Sequence, residues 1–233
     1  VTIRTITRGD IAVNSDITSS SGTINISSSD DITLGAITLN SGATGNINLD
    51  VDRNNNTGAQ LDLGSGLLTG TIIAFDGGTG GASDTLIAQS LPNTWVIGNT
   101  NNAGTLANSN ITPDASAAFT NFQNLTGNGD TDEFRFTGTR SISGAVDGQG
   151  GTDTLNYSAL AGPITVTLAA GGVTDGFASS GSSSNVGTFD DIDAVVGSAS
   201  TADNLTSTVG LGTTATWDVV AGNDQYATGG DTL

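Results

Sequence analysis

Hydrophobic and polar residues alternate in short runs through the first seventy residues of the chain. In residues 9–13, 22–26 and 45–49, a glycine and a polar residue precede an aliphatic residue, a small residue (alanine or asparagine) and a second aliphatic residue. Alternation with a period of two is typical of a half-buried β-strand, and a preceding glycine or aspartate is typical of a turn. The pattern predicts a succession of short strands joined by tight turns.

The spacing between these runs repeats at a larger scale. Ile11 and Ile32 are 21 residues apart, and Ile24 and Ile47 are 23 apart. A repeat of this length that holds three short strands is typical of one coil of a β-solenoid. We therefore predict an all-β fold, a parallel β-helix of about 20–23 residues per coil in which equivalent aliphatic residues stack. The predicted ladders are Ile11–Ile32–Leu61, Ile17–Ile37–Leu67 and Ile24–Ile47–Ile72.

The chain divides into two regions of one continuous solenoid. Residues 1–75 are regular coils, with residues 50–58 predicted as a loop, and residues 76–233 are longer, decorated coils. In the second region a repeat of about 120 residues is visible, because residues 84–86 recur at 203–205 and Trp95 recurs at Trp217. Segment 119–127 similarly resembles 189–197. We expect about eleven coils in a rod of roughly 50 Å, as an excerpt of a longer polypeptide, and almost no helix.

Charge and composition narrow the classes of function. The 233 residues include 5 Lys+Arg against 23 Asp+Glu, a net charge of −18. Binding to nucleic acid or to an anionic membrane needs a basic surface that this chain does not supply. The apolar runs are also too short to span a bilayer, so we expect no membrane insertion.

The absence of histidine, cysteine and lysine removes most general-base and nucleophile combinations. A β-helical polysaccharide lyase or hydrolase remains an alternative, with Arg135 or Arg140 as the bases near acidic turns. We predict that the chain is not an enzyme.

Two glycine–aspartate phrases are the strongest candidates for a binding site. Residues 148–156 are similar to the calcium-binding nonapeptide G-G-x-G-x-D-x-L-x, and residues 127–135 match it more loosely. Asp132 and Asp153 are 21 residues apart, one coil, so the two turns are expected to stack. Calcium takes six to eight oxygen ligands, and the predicted calcium ligands are Asp130, Asp132, Asp147 and Asp153. The alternative is that both phrases are corner turns with solvated carboxylates.

Trp95 and Trp217 stand at matching places in the longer repeat. Exposed tryptophans would form a stacking platform for a sugar or a partner protein. We favour the alternative in which each tryptophan fills a widened part of the core or caps a coil.

The alternating run of residues 9–42 resembles the repeat region of large bacterial exoproteins of the filamentous haemagglutinin kind. Residues 119–134 and 144–168 resemble modules of very long bacterial surface proteins. The resemblance implies a right-handed β-helix that is secreted or displayed on the bacterial cell surface, and it transfers no catalytic residue. It also implies a structural or adhesive stalk whose partners are glycans or proteins of a host or neighbouring cell. The alternative is a self-assembling filament or surface-layer subunit that binds copies of itself.

Overall fold

A computed structural model describes residues 1–5, 7, 9–54, 58–80, 83–98, 100–113, 116–179, 181–207, 216–218 and 225–228. These residues form short strands and turns and no helix. The strands of the first region are β1 (Thr2–Arg4), β2 (Ile11–Val13), β3 (Ile17–Thr18), β4 (Ile24–Ser27), β5 (Ile32–Leu34), β6 (Thr38–Asn40), β7 (Asn46–Asp50), β8 (Gln60–Asp62), β9 (Leu67–Thr69) and β10 (Ile72–Asp76). Residues 55–57 of the predicted loop 50–58 lie outside the described residues.

The strands continue through the second region. They are β11 (Thr85–Ile87), β12 (Asn93–Ile97), β13 (Gly104–Ala107), β14 (Ile111–Thr112), β15 (Ser116–Thr120), β16 (Asn124–Asn128), β17 (Asp132–Phe136) and β18 (Ile142–Gln149). The remainder are β19 (Thr154–Asn156), β20 (Thr165–Gly171), β21 (Phe177–Ser179), β22 (Val186–Asp190), β23 (Ala194–Val196), β24 (Asn204–Ser207), β25 (Thr216–Asp218) and β26 (Gln225–Thr228).

The strands stack into long sheets, mostly in parallel. Sheet A has the order β1-β4-β7-β10-β15-β13-β12-β17-β19-β23-β25, and sheet B has the order β2-β5-β8-β11-β16-β18-β22. Two four-stranded sheets complete the fold, sheet C (β14-β9-β6-β3) and sheet D (β21-β20-β24-β26). Strands that are neighbours in a sheet but distant in the chain are expected when each coil lies on the previous coil. The predicted parallel β-solenoid is confirmed.

Sheet B carries the first predicted ladder in the predicted register. Ile11 pairs with Ile32, and Ile32 pairs with Leu61. The ladder then continues through four further coils, in the order Leu86, Leu125, Val146 and Phe189. From Ile32 to Phe189 these side chains are at most 2% exposed. A continuous column of stacked apolar side chains therefore forms the core beneath this sheet.

The second ladder was predicted wrongly by one or two residues, whereas the third is confirmed from Ile24 to Ile47 and is wrong by one residue at its next level. Ile17 pairs with Leu39 rather than Ile37, and Leu39 pairs with Leu68 rather than Leu67. In sheet A the partner of Ile47 is Ile73.

Adjacent aliphatic residues explain two of these three errors, those at Leu67 and Ile72. The pairs 67–68 and 72–73 each offer two candidates for one inward position, and a shift of one residue exchanges the two faces of a strand. Leu67 and Ile72 consequently face outward and are 38% and 56% exposed, whereas Ile73 is 4% exposed.

The second region departs from simple winding between β11 and β16. Strand β13 pairs antiparallel with both β12 and β15, which inserts additional strands into sheet A. The core is wide at this level and holds Trp95, Leu106 and Phe119, each at most 1% exposed.

A network of buried amides lies beside these inserted strands. Asn108 donates to the Gln89 Oε1 at 2.9 Å and to the Asn93 Oδ1 at 2.8 Å, and Gln89 donates to the carbonyl of Gly66. Hydrogen bonding compensates the burial of these polar groups. The described residues include no helix that is long and apolar enough to cross a membrane.

Candidate functional site

One corner of the solenoid, where the chain leaves sheet B and enters sheet A, carries a column of polar residues. Asn93 and Asp132 are the first residues of β12 and β17, and Asp153 and Asp193 directly precede β19 and β23. Since these four strands are successive neighbours in sheet A, the four residues stack on one another. We call these four residues the corner ladder.

Each carboxylate of the corner ladder accepts a backbone hydrogen bond from the preceding coil. The N–H of Asn93 donates to the Asp132 Oδ1 at 3.1 Å, and the N–H of Asp132 donates to the Asp153 Oδ1 at 2.8 Å. The N–H of Asp153 donates to the Asp193 Oδ2 at 2.7 Å. The strands begin at this corner, so the backbone hydrogen bonds of sheet A start only after it. The carboxylates provide acceptors for the N–H groups at the corner itself.

A glycine lies five residues before each of the buried aspartates Asp132 and Asp153 and leaves space for its carboxylate. A Cβ on Gly127 would lie 2.3 Å from the Asp132 Oδ2, and a Cβ on Gly148 would lie 2.5 Å from the Asp153 Oδ2. The Gly148 position would also lie 2.1 Å from the carbonyl oxygen of Asp191. The glycines of the two phrases are therefore needed for close packing of the aspartates beneath them.

Burial and mutual repulsion raise the pKa of the ladder carboxyls. Asp132 and Asp153 are both 0% exposed. Desolvation raises the pKa of Asp132 to about 6. The backbone N–H of Asn128 donates to the Asp132 Oδ2 at 2.9 Å and has the opposite, smaller effect on this pKa. Desolvation likewise raises the pKa of Asp153 to about 8, with a further contribution from the charges of Asp132, Asp193 and Asp175. The Asp153 Oδ2 accepts no hydrogen bond.

The structure brings together two of the four predicted calcium ligands. Asp132 and Asp153 stack one coil apart, as the 21-residue spacing predicted. Asp130 is exposed in the turn before β17, and the carboxylate of Asp147, in sheet B, accepts the N–H and the Nε2 of Gln149 at 3.0 and 2.6 Å. The calcium assignment stays a prediction.

Sequence reasoning missed a different cluster of carboxylates. Among the described residues, the group of three acidic side chains with oxygens within 4.8 Å of one another is Asp10, Asp30 and Asp31. The spacing in the sequence could have identified this cluster, because Asp10 and Asp31 are 21 residues apart, which is one coil. In the structure the Asp31 N–H donates to the Asp10 Oδ1 at 3.4 Å. These side chains are exposed or half-buried corner residues.

Trp95 belongs to the core, as the favoured interpretation predicted. It is 0% exposed, stacks on Phe134 at 5.6 Å between ring centroids and meets Phe119 edge-on at 5.8 Å. Backbone pairing places Trp217 on the same ladder, because Phe134 pairs with Leu155, Leu155 pairs with Val195, and Val195 pairs with Trp217. The matching positions of the two tryptophans in the sequence thus correspond to one column of sheet A.

One of the two arginines considered for a lyase, Arg135, is engaged in an ion pair. The Arg135 guanidinium donates to the Glu133 Oε2 at 2.6 Å, and Asn156 donates to the Glu133 Oε1 at 2.5 Å. All three side chains lie on the outward face of sheet A, opposite to the inward Phe134. Arg135 thus pairs within its own strand β17, and the bond that joins adjacent strands is the one from Asn156 on β19 to Glu133.

Comparison with known proteins gave no match for this chain among protein-family models, curated proteins or solved structures. The fold and the corner ladder are therefore interpreted from their own geometry.

Proposed function

We propose that the chain is a non-enzymatic structural stalk, secreted or displayed on a bacterial cell surface, that carries adhesive surfaces away from the cell. The observation that supports this function is the seven-level ladder of sheet B, which runs from Ile11 to Phe189 along one continuous core. In such a fold each coil packs on its neighbours, so length can grow by repetition without a new core.

The outward side chains of the sheets fit a stalk that stands in water. Small polar residues pair between coils, as when the Asn48 Nδ2 donates to the Asn25 Oδ1 at 2.8 Å. Thr69 and Thr112 share a hydrogen bond of 2.9 Å between their hydroxyls, and Thr167 and Thr206 share one of 3.0 Å. The net charge of −18 keeps such rods apart by repulsion.

A polar, acidic and repetitive exterior is suited to weak contacts repeated along its length. We propose glycans or proteins of a host or neighbouring cell as partners, because hydroxyl and amide side chains offer both donors and acceptors of hydrogen bonds. Many weak contacts on one rigid rod gain affinity by multivalency.

Electron microscopy and surface labelling together test this function. We expect isolated rods from the purified chain, and we expect an antibody against it to label intact, unpermeabilised cells of its source. Globular particles, or label that appears only after permeabilisation, would exclude a surface stalk.

One observation favours self-assembly as a second candidate function. Strands β1, β2 and β3 stand at the ends of their sheets, so one edge of each is unpaired among the described strands. Ile3 pairs with the fully buried Ile26 and continues the inner column, yet it is 36% exposed. An open edge beside an uncovered aliphatic residue is a surface on which another strand can pair.

Substitution at this edge separates the two candidates. If copies assemble end to end, Ile3→Lys should abolish the fibres seen by electron microscopy. Ile72→Lys is the matched control, because Ile72 is 56% exposed on the face of sheet A rather than at its edge. Isolated rods from the wild-type chain at high protein concentration would exclude self-assembly.

A further inference from the structure

Asp84 occupies the opposite corner of the solenoid, where the chain passes from sheet A to sheet B. It directly precedes β11 and is 0% exposed. Its Oδ1 accepts the N–H of Ala59 in the preceding coil at 2.8 Å. Its own N–H donates to the Gln123 Oε1 in the following coil at 2.8 Å, and its carbonyl accepts the N–H of Asn124 at 2.9 Å. Asp84 thus joins three successive coils.

The second carboxylate oxygen of Asp84 has no compensation. The Oδ2 is buried and accepts no hydrogen bond. An ionised carboxylate with a sealed and unpaired oxygen is unfavourable, and a buried group in this position ordinarily takes up a proton instead.

The charged groups around Asp84 increase this penalty. From the preceding coil it faces Asp52, which is also 0% exposed, and from its own coil it faces Asp76. Arg53 follows Asp52 in the chain, but its Nε lies 3.9 Å from the Asp50 Oδ2 in a partly exposed ion pair. The following coil offers the neutral amides of Gln123 and Asn124.

We propose that Asp84 is a buried proton-binding site that couples the cohesion of the coils to pH in the mildly acidic range. With its proton bound, the corner holds a neutral carboxyl group that still accepts the Ala59 N–H. When the proton is lost, the corner must hold an uncompensated charge beside Asp52 and Asp76. The coils are then joined more firmly in acidic surroundings than in neutral ones.

The electrostatic environment gives the size of the effect. Desolvation first, and then the charges of Asp52 and Asp76, raise the pKa of Asp84 from 3.8 to about 6. A raised pKa in the folded chain means that the contribution to stability is fully present below 3.8 and is lost as the pH rises through 6. Between pH 5 and pH 7.5, Asp84 should therefore increase the unfolding equilibrium constant about tenfold.

Two measurements test the proposal. In the wild-type chain, the ¹³C chemical shift of the Asp84 carboxyl should titrate with a midpoint near pH 6. In urea unfolding, the unfolding constant of the wild-type chain should include an increase of about tenfold between pH 5 and pH 7.5 that comes from Asp84, and Asp84→Asn should lack this increase. Asp62→Asn is the matched control, because the Asp62 Oδ1 accepts the Gly64 N–H at 2.9 Å outside the A–B corner.

A carboxyl midpoint near pH 4 would overturn the proposal, and so would equal pH dependence of Asp84→Asn and Asp62→Asn. The carboxyl titration needs no variant, so it decides the question even if Asp84→Asn fails to fold.

Discussion

The backbone N–H of Asp132 donates to the Oδ1 of Asp153 across 2.8 Å, although 21 residues separate the two in the chain. The bond crosses from one coil to the next at a corner, where the ladder of backbone hydrogen bonds has not yet begun. Side chains at such corners therefore fasten the coils together in addition to the strands.

Asp153 combines a useful hydrogen bond with an unfavourable charge. Asp153→Asn keeps the Oδ1 acceptor and removes the charge, so it should raise the free energy of unfolding at pH 8.5 and raise it much less at pH 5. Asp153→Ala removes the charge and also the acceptor, so it should be less stable than Asp153→Asn by about 1–3 kcal/mol at both pH values. Urea unfolding measured in a chelator checks both variants.

In the chelator, Asp130→Asn is the control for Asp153→Asn, because Asp130 is exposed in the turn of the preceding coil. If Asp153→Asn destabilised the chain in added calcium and not in chelator, the predicted calcium site would gain support and the buried-charge explanation would fail.

The stability of the whole chain should depend on pH. The pKa values of Asp84 and Asp132 are raised to about 6, and that of Asp153 to about 8, from 3.8. The folded state binds these protons more tightly than the unfolded state, so stability is lost as the pH rises through 6 and then 8. We expect the melting temperature to fall between pH 5 and pH 9, as measured by circular dichroism.

Measurements at high salt distinguish the pH dependence caused by the buried carboxyl groups from that caused by repulsion among the exposed charges of an acidic chain. High ionic strength screens exposed charges far more than buried ones. The fall in melting temperature should therefore persist in about 0.5 M NaCl. A melting temperature that is independent of pH in high salt would contradict a buried origin.

Ile72 and Ile73 provide a matched test of the register of sheet A. Ile73→Ala should lower the free energy of unfolding by about 2–5 kcal/mol, because Ile73 lies in the core column between Ile47 and the following coil. Ile72→Ala should change it by less than about 0.5 kcal/mol, since that side chain is exposed. Equal losses in urea unfolding would contradict the register.

Gly148 tests the close packing of the corner ladder. Gly148→Ala places a Cβ 2.1 Å from the Asp191 carbonyl oxygen and 2.5 Å from the Asp153 Oδ2, so it should cost about 1–3 kcal/mol. Gly129→Ala is the control, because a Cβ there has no neighbour within 4 Å. The measurement is the difference in melting temperature between the two variants, and identical values would refute the packing argument.

The repeating pattern of the sequence predicted the solenoid because strand alternation and coil spacing are local properties. None of Ile11, Ile32 and Leu61 has a second large aliphatic residue beside it, so each had one possible inward position and the ladder was predicted correctly. The same spacing predicted that Asp132 and Asp153 would stack. It also favoured a core position for Trp95.

The tertiary structure alone decided three features. It chose Leu68 over Leu67 and Ile73 over Ile72, because adjacent aliphatic residues are equivalent until a neighbouring coil covers one of them. It inserted β13 antiparallel within sheet A, where pairing depends on strands far away in the chain. It also sealed some aspartates and left others such as Asp130 in water, since burial is set by the coils above and below rather than by the residue itself.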